Sequence, residues 1–191
     1  RVGDARGALT LSDENYGAII SQPSHPWTSG ASHLYTQEFF SRVADRLTPD
    51  GVFVQWMGLG FVDLDLLRGL VGTLSDVFQH LVVIQPGGGV LLFLASQEPL
   101  SLVETADAAL AAGGEGLGEV GVHTAEDIAS AILLGEDDVR HFAGESPRIT
   151  DDHNRLAWAS MKFSRIQDNK KSIRGALMEY DSASKWVRDA G

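Results

Sequence analysis

The sequence predicts an α/β fold whose sheet is parallel with an antiparallel edge. Three observations carry this. Short β-branched and aromatic runs alternate with stretches of helical period through the first hundred residues. The strand candidates are bounded by Pro or Gly signals. Two apolar runs, 81–84 and 90–95, flank Pro86-Gly87-Gly88-Gly89 and read as a closing hairpin. With 191 residues, 43% of them hydrophobic and 21% charged, the chain is long enough and apolar enough to bury one sizeable core.

Taken in order, Ala18-Ile19-Ile20-Ser21 is a short strand that stops before Pro23, where a ladder donor is lost. Residues 34–47 have helical period: Phe39, Val43 and Leu47 recur four apart, with Phe40 and Ala44 beside them. Thr48-Pro49-Asp50-Gly51 then reads as a turn, and 51–56 as a buried strand. Leu64, Leu67, Val71, Leu74 and Phe78 form the stripe of a second helix. Residues 102–112 are Ala-rich and helical, whereas 113–121 are glycine-rich and read as a flexible linker. Thr124 opens a further helix, with Asp127 as the capping-box acid, and this helix is expected to run to Leu134 and end at Gly135. From Met161 the chain turns basic, with Lys162, Arg165, Lys170, Lys171, Arg174, Lys185 and Arg188. Ile166, Ile173, Leu177 and Tyr180 share one face there, which suits a docked helix better than a nucleic-acid arm.

Charge and composition exclude several classes. The 15 Lys+Arg against 26 Asp+Glu leave a formal charge of −11, which disfavours nucleic acid as a partner. Without cysteine there is no disulfide scaffold, thiolate zinc site or Cys nucleophile. No apolar run reaches the roughly 18 residues of a membrane span. Three constellations could carry chemistry. In Gly3-Asp4-Ala5-Arg6, Asp4 is either a helix N-cap or an acceptor for an exocyclic amine such as that of adenine. The loop 21–27 follows a strand, where open α/β sheets bind ligands, and Gln22, Ser24 and His25 could converge there. Its alternative is a proline-stiffened loop with Trp27 packed as a lid. In 149–156, Asp151 and Asp152 precede His153, but the six histidines are scattered with no pair at helical spacing. No metal site is expected; a turn or helix cap is.

These motifs resemble a known group. GDAR, YGAIISQPSHPW, LYTQEFFSRVADRLTPDGVFVQW and PRITDDHNRLAW, in that order, resemble the spermidine synthase family of polyamine aminopropyltransferases over about residues 1–160. The likeness is greatest to bacterial spermidine-synthase-like proteins related to transporter-fused forms. It implies a partial Rossmann-like fold of the class I S-adenosylmethionine-dependent methyltransferase type, with a terminal antiparallel hairpin and C-terminal helices. The family's glycine-rich loop and first strands would lie upstream of Gly3, so the chain is expected to be the C-terminal half of a longer protein. Residues 1–100 would be half of the sheet domain, 101–160 would complete it, and 161–191 would form a basic helical tail.

The resemblance implies aminopropyl transfer from decarboxylated S-adenosylmethionine to an amine. The decarboxylated or the ordinary form would serve as co-substrate, with no tightly bound cofactor. Asp4 and Ala5 match the adenine-contacting pair. Gln22 falls at the catalytic Asp and His25 at an amine-binding Asp, with Ser24 and Trp27 shaping the same loop. Gln55 lies one place before the family's amine-contacting Gln, where this chain has Trp56. Gln22 cannot act as a general base and supplies no charge for a diamine. An altered acceptor, uncharged or anionic, suits Gln and His better. The alternative is a non-catalytic binding or assembly module. A cytoplasmic setting is implied, with self-association or association with the missing N-terminal half.

Overall fold

The computed structural model describes residues 3–23, 25–28, 30–102, 105–159 and 166–180. Asp4 accepts a hydrogen bond from the Gly7 amide at 2.7 Å and caps the short helix α1 (Ala5–Leu11). Strand β1 (Tyr16–Ser21) follows, longer than expected by Tyr16 and Gly17. The helix expected over 34–47 is divided. A 3₁₀ turn (Ala31–Tyr35) precedes α2 (Gln37–Ala44), with Thr36 extended between them. The Thr36 hydroxyl contacts the His33 carbonyl at 3.2 Å and Asp151 Oδ1 at 2.8 Å, and such side-chain bonds compete with helix continuation.

Leu47 therefore reaches the core from strand β2 (Leu47–Gly58), not from a helix. The expected turn at 48–51 is absorbed into that strand as an irregularity. Tyr16 pairs with Leu47 and Ala18 with Val52, so the intervening residues bulge, and Thr48 Oγ1 donates to Asp50 Oδ1 at 3.0 Å. A Cβ at Gly51 would stand 3.0 Å from the carbonyl oxygens of Tyr16 and Thr48, which explains the glycine.

Helix α3 (Leu64–Ser75) carries the expected apolar stripe and is capped by Asp63, which accepts from the Leu66 amide at 2.8 Å. Strands β3 (His80–Gly87) and β4 (Val90–Ser96) form the expected hairpin. The chain does not leave 113–121 as a linker. Helix α4 (Ala106–Glu119) runs through those glycines. It ends in a Schellman motif, with Gly121 at φ +80°, its amide on Gly118 and the Val122 amide on Leu117. The capping box of Thr124 and Asp127 opens α5 (Ala125–Ser130), as expected. That helix stops short of Leu134, because 132–134 form strand β5 (Ile132–Leu134) against β3. Pairing with β3 buries Ile132 and Leu134 at a sheet edge, a tertiary gain that outweighs local helical continuity. Helices α6 (Glu136–Ala143), α7 (Arg155–Ala159) and α8 (Ile166–Met178) complete the order.

The strand order is β1-β2-β4-β3-β5. Only β1 and β2 are parallel; the other neighbours are antiparallel. The hairpin thus sits inside the sheet, inserted between β2 and β5, rather than at its margin. On one face Phe53, Met57, Leu91 and Phe93 pack under α2, α3, α6 and α8. A smaller cluster of Val82, Leu100 and Ile132 covers part of the other face. Ile173 and Leu177 bury one side of α8, as the sequence suggested; Met161, Lys162, Arg165, Lys185 and Arg188 lie outside the described residues. Close packing also fixes the segment after α6. A Cβ on Gly69 would lie 2.7 Å from the Pro147 carbonyl, and the Ile149 amide donates to Thr73 Oγ1 at 2.9 Å. The Ile149 carbonyl accepts from the Gln37 amide at 2.9 Å, which lays Thr150 and Asp151 against the start of α2.

Candidate functional site

The parallel pair β1 and β2 ends at one rim, where Ser21 is opposite Gln55. In such sheets the carboxyl ends of the strands open onto a crevice. Here that crevice is a groove of about 370 Å³, lined among others by Ala5 and Leu9 of α1, Ile20, Gln22, Leu34 and Phe39. Its walls are mostly aliphatic and aromatic, with Gln22 as a polar group at the lip. Ala5 and Gln22, read from separate motifs, therefore share one cavity. Asp4 sits beside it, exposed, with its carboxylate on the Gly7 amide. Ser24 lies outside the described residues.

Beyond Gln22 the loop carries its rings to a separate cluster, whose members do not line the groove. The His25 and Trp27 ring centroids are 4.7 Å apart, and each stands near Phe61, at 5.1 and 5.2 Å. Trp56 joins from β2 at 5.7 Å from Phe61. Trp27 is 40% exposed, so it is not a lid sealed over core residues but an amphipathic ring at the surface of the cluster. Phe61 is the hub of this cluster, and sequence reasoning missed it. The available signal was Gly58, where a Cβ would come within 2.9 Å of the Phe61 ring.

Gln55 is wholly buried beneath the rim rather than facing the loop. Its Nε2 donates to the carbonyls of Trp56 at 3.1 Å and Ser21 at 3.4 Å, while Oε1 finds no hydrogen-bond partner among the described residues. Tyr35, also buried, donates to the Trp56 carbonyl at 3.4 Å. Burial pushes its phenol well above the ordinary range. Gln55 and Tyr35 thus hold the rim in place from below.

The third feature is the turn and helix cap the sequence predicts: Thr150 Oγ1 accepts from the His153 amide at 3.1 Å, and Asn154 Oδ1 accepts from the Ala157 amide at 3.3 Å at the start of α7. What the sequence does not show is that Asp151 also receives Arg6 through two bonds of 2.8 and 2.7 Å, Thr36 Oγ1 at 2.8 Å and His33 Nδ1 at 3.3 Å, while its own amide donates to Glu38 at 2.9 Å. The Arg6 hydrogen bonds hold the Asp151 carboxyl far below the usual carboxylate range, desolvation opposes this, and Thr36 and His33 add to it. A depressed carboxylate stabilises the fold above its unfolded value, near pH 4, and the contribution fades as pH falls toward the folded value. Asp151→Asn is therefore expected to cost about 1–2 kcal/mol at pH 6, a figure discounted for partial exposure. Urea denaturation at pH 6, 4 and 3 checks it; a gap between wild type and variant that stays constant across that range contradicts the assignment.

Among the described residues no group of three or more His, Cys, Asp or Glu could hold a metal ion. No described helix is long and apolar enough to cross a membrane.

No family model matches the chain. Over 107 residues, 52% of its length, it is 36% identical to polyamine aminopropyltransferases of two Synechococcus strains, JA-2-3B'a(2-13) and JA-3-3Ab. It spans 34% of the length of each, about a third of these curated relatives. Among solved structures it is similar to a probable spermidine synthase from Corynebacterium glutamicum ATCC 13032, with a TM-score of 0.53 and 23% identity, covering 79% of this chain and 53% of that one. That likeness establishes the fold: the five-stranded sheet is part of a spermidine-synthase fold of the class I methyltransferase type. The chain's curated homologues are aminopropyltransferases.

Proposed function

We propose that this protein carries the acceptor-side portion of an aminopropyltransferase-like site whose acceptor is not a diamine. The observation that carries the reading is the shared groove, in which Ala5 and Gln22 meet at the carboxyl ends of the parallel strands. An aliphatic slot beside Asp4 suits a flat purine, whose exocyclic amine needs an acceptor at the edge. The donor is then decarboxylated S-adenosylmethionine, and the group transferred is aminopropyl. The amine-binding end is built differently from a carboxylate pair. Gln22 offers an amide, and His25, Trp27 and Trp56 offer rings, so an acceptor is recognised by hydrogen bonds and flat faces rather than by charge. Gln22 orients the attacking nitrogen without taking its proton: the nitrogen lone pair forms the C–N bond as the C–S bond breaks and methylthioadenosine leaves, and the resulting ammonium gives its proton to water. Ser24 belongs to the same loop and is assigned to acceptor contact; Gln55 acts from beneath by fixing the rim.

In this reading 101–160 completes the domain begun in 1–100 and 161–191 is a basic helical tail; β5 in the same sheet as β1, and Ile173 and Leu177 of α8 in the same core, support treating the segments together. Self-association in a cytoplasmic setting accompanies this reading. The experiment is release of methylthioadenosine from decarboxylated S-adenosylmethionine, measured with putrescine, neutral amines and amino acids as acceptors. Turnover is expected with a neutral or zwitterionic amine and at least tenfold less with putrescine. Robust spermidine formation overturns the altered acceptor, and release with none of them overturns the transferase.

A further inference from the structure

Asp151 lies outside the groove, yet it binds every helical element that walls it. Helix α1 contributes Ala5, Ala8 and Leu9 to the lining, the 3₁₀ turn contributes Leu34, and α2 contributes Phe39. From the reverse side the same elements send Arg6, His33 and Thr36 to the one carboxylate of Asp151, and Glu38 accepts its amide. The Arg6 guanidinium also donates to the His33 carbonyl at 3.3 Å, so the pair ties α1 to the turn directly.

Helix α1 depends on such ties. It has seven residues and none of them is buried. A helix of two turns is not stable alone, and with Leu9 its one half-buried apolar residue on the core, its orientation is set largely by polar links. Those links are Arg6 to Asp151 and to the His33 carbonyl, Arg46 Nε to the Leu9 carbonyl at 3.0 Å and Arg42 to Thr10 Oγ1 at 2.9 Å. Of these, only Arg6 to Asp151 is bidentate and charge-paired, which fixes direction as well as distance.

We propose that Asp151 is a positioning residue: by clamping Arg6, His33 and Thr36 together it sets the separation between α1 and the end of β1, and hence the fit of the groove to an adenine nucleoside. This rests on the donor reading given above. Asp151 touches no substrate, and its effect is transmitted through Arg6. An ion pair of merely structural value would lower stability without changing the groove. The Arg148–Asp76 pair supplies that comparison, with Arg148 Nε 2.8 Å from Asp76 Oδ2, a carboxylate of similar exposure and a more exposed guanidinium, at the end of α3 away from the groove.

The test compares Asp151→Asn, Arg6→Lys and Asp76→Asn with wild type by melting temperature, by amide hydrogen exchange over 5–11 and by calorimetric binding of methylthioadenosine. Arg6→Lys keeps the charge and loses the fork, so it serves if Asp151→Asn does not fold. Both clamp variants are expected to raise exchange in α1 and to weaken methylthioadenosine at least tenfold. Asp76→Asn is expected to lower the melting temperature while leaving both other readouts within twofold. Wild-type binding with unchanged affinity in the clamp variants overturns the positioning role alone, as does unchanged exchange in α1. Wild-type protein that does not bind methylthioadenosine overturns the donor reading, and the positioning role with it.

Discussion

Gln22→Asp is expected to raise aminopropyl transfer to putrescine by about 10²-fold, the lower end of what a positioned general base contributes. Gln22 stands at the lip of the groove shared with Ala5, exposed and free of the buried network that holds Gln55. A carboxylate there takes the proton that an amide cannot and attracts the cationic amine. Adding His25→Asp should lower the KM for putrescine further, since the second carboxylate answers the distal ammonium. Initial rates of methylthioadenosine release across the single and double variants check this. If Gln22→Asp leaves the putrescine rate unchanged, the loop does not face the acceptor and the altered-acceptor reading loses its basis.

Phe53→Ala is expected to cost about 3–5 kcal/mol, the range for removing a buried aromatic side chain. Phe53 is fully buried at the centre of β2, with Phe40 and Phe78 rings at 5.7 and 5.8 Å and Phe39 at 6.3 Å. It also pairs with Ile19 on β1 and Ala95 on β4, so the cavity would open beneath three strands. Against a typical domain stability of about 5–15 kcal/mol this is a large fraction. Phe53→Leu fills most of the volume and should cost distinctly less. Equilibrium denaturation of both variants separates the contributions; a loss under about 1 kcal/mol for alanine would mean that the ring cluster is not the centre of the core.

What was legible in the sequence was local. Thr124 and Asp127 lie three apart and their capping box needs nothing from elsewhere, so it could be read directly. The hairpin at 86–89 and the stripe on α3 were legible for the same reason. The failures share a different cause. Thr36 breaks the expected helix because its hydroxyl reaches a carboxylate 115 residues away, and Arg6 finds the same partner across 145 residues. The turn at 151–153 was legible locally, whereas the partners of the Asp151 carboxylate, all distant in sequence, were not. Residues 132–134 were drawn into a strand by β3, which no window around them contains. The glycines of α4 run against composition, and only the Schellman closure at Gly121 shows where they stop being helical. In the site, Ala5 and the loop around Gln22 were legible as motifs; Phe61, which gathers the rings, was not.

The 3₁₀ turn at Ala31–Tyr35 has one further consequence. With three residues per turn, successive side chains leave its axis about 120° apart. His33 accordingly goes to Asp151, Leu34 to the groove and Tyr35 to the backbone of β2. Three consecutive residues serve three separate destinations, so the segment tolerates changes of side chain far better than changes of length. A single inserted or deleted residue would rotate each of the three into its neighbour's place, unfastening clamp, wall and rim in one step. Relatives that retain this site should therefore keep the number of residues in this turn.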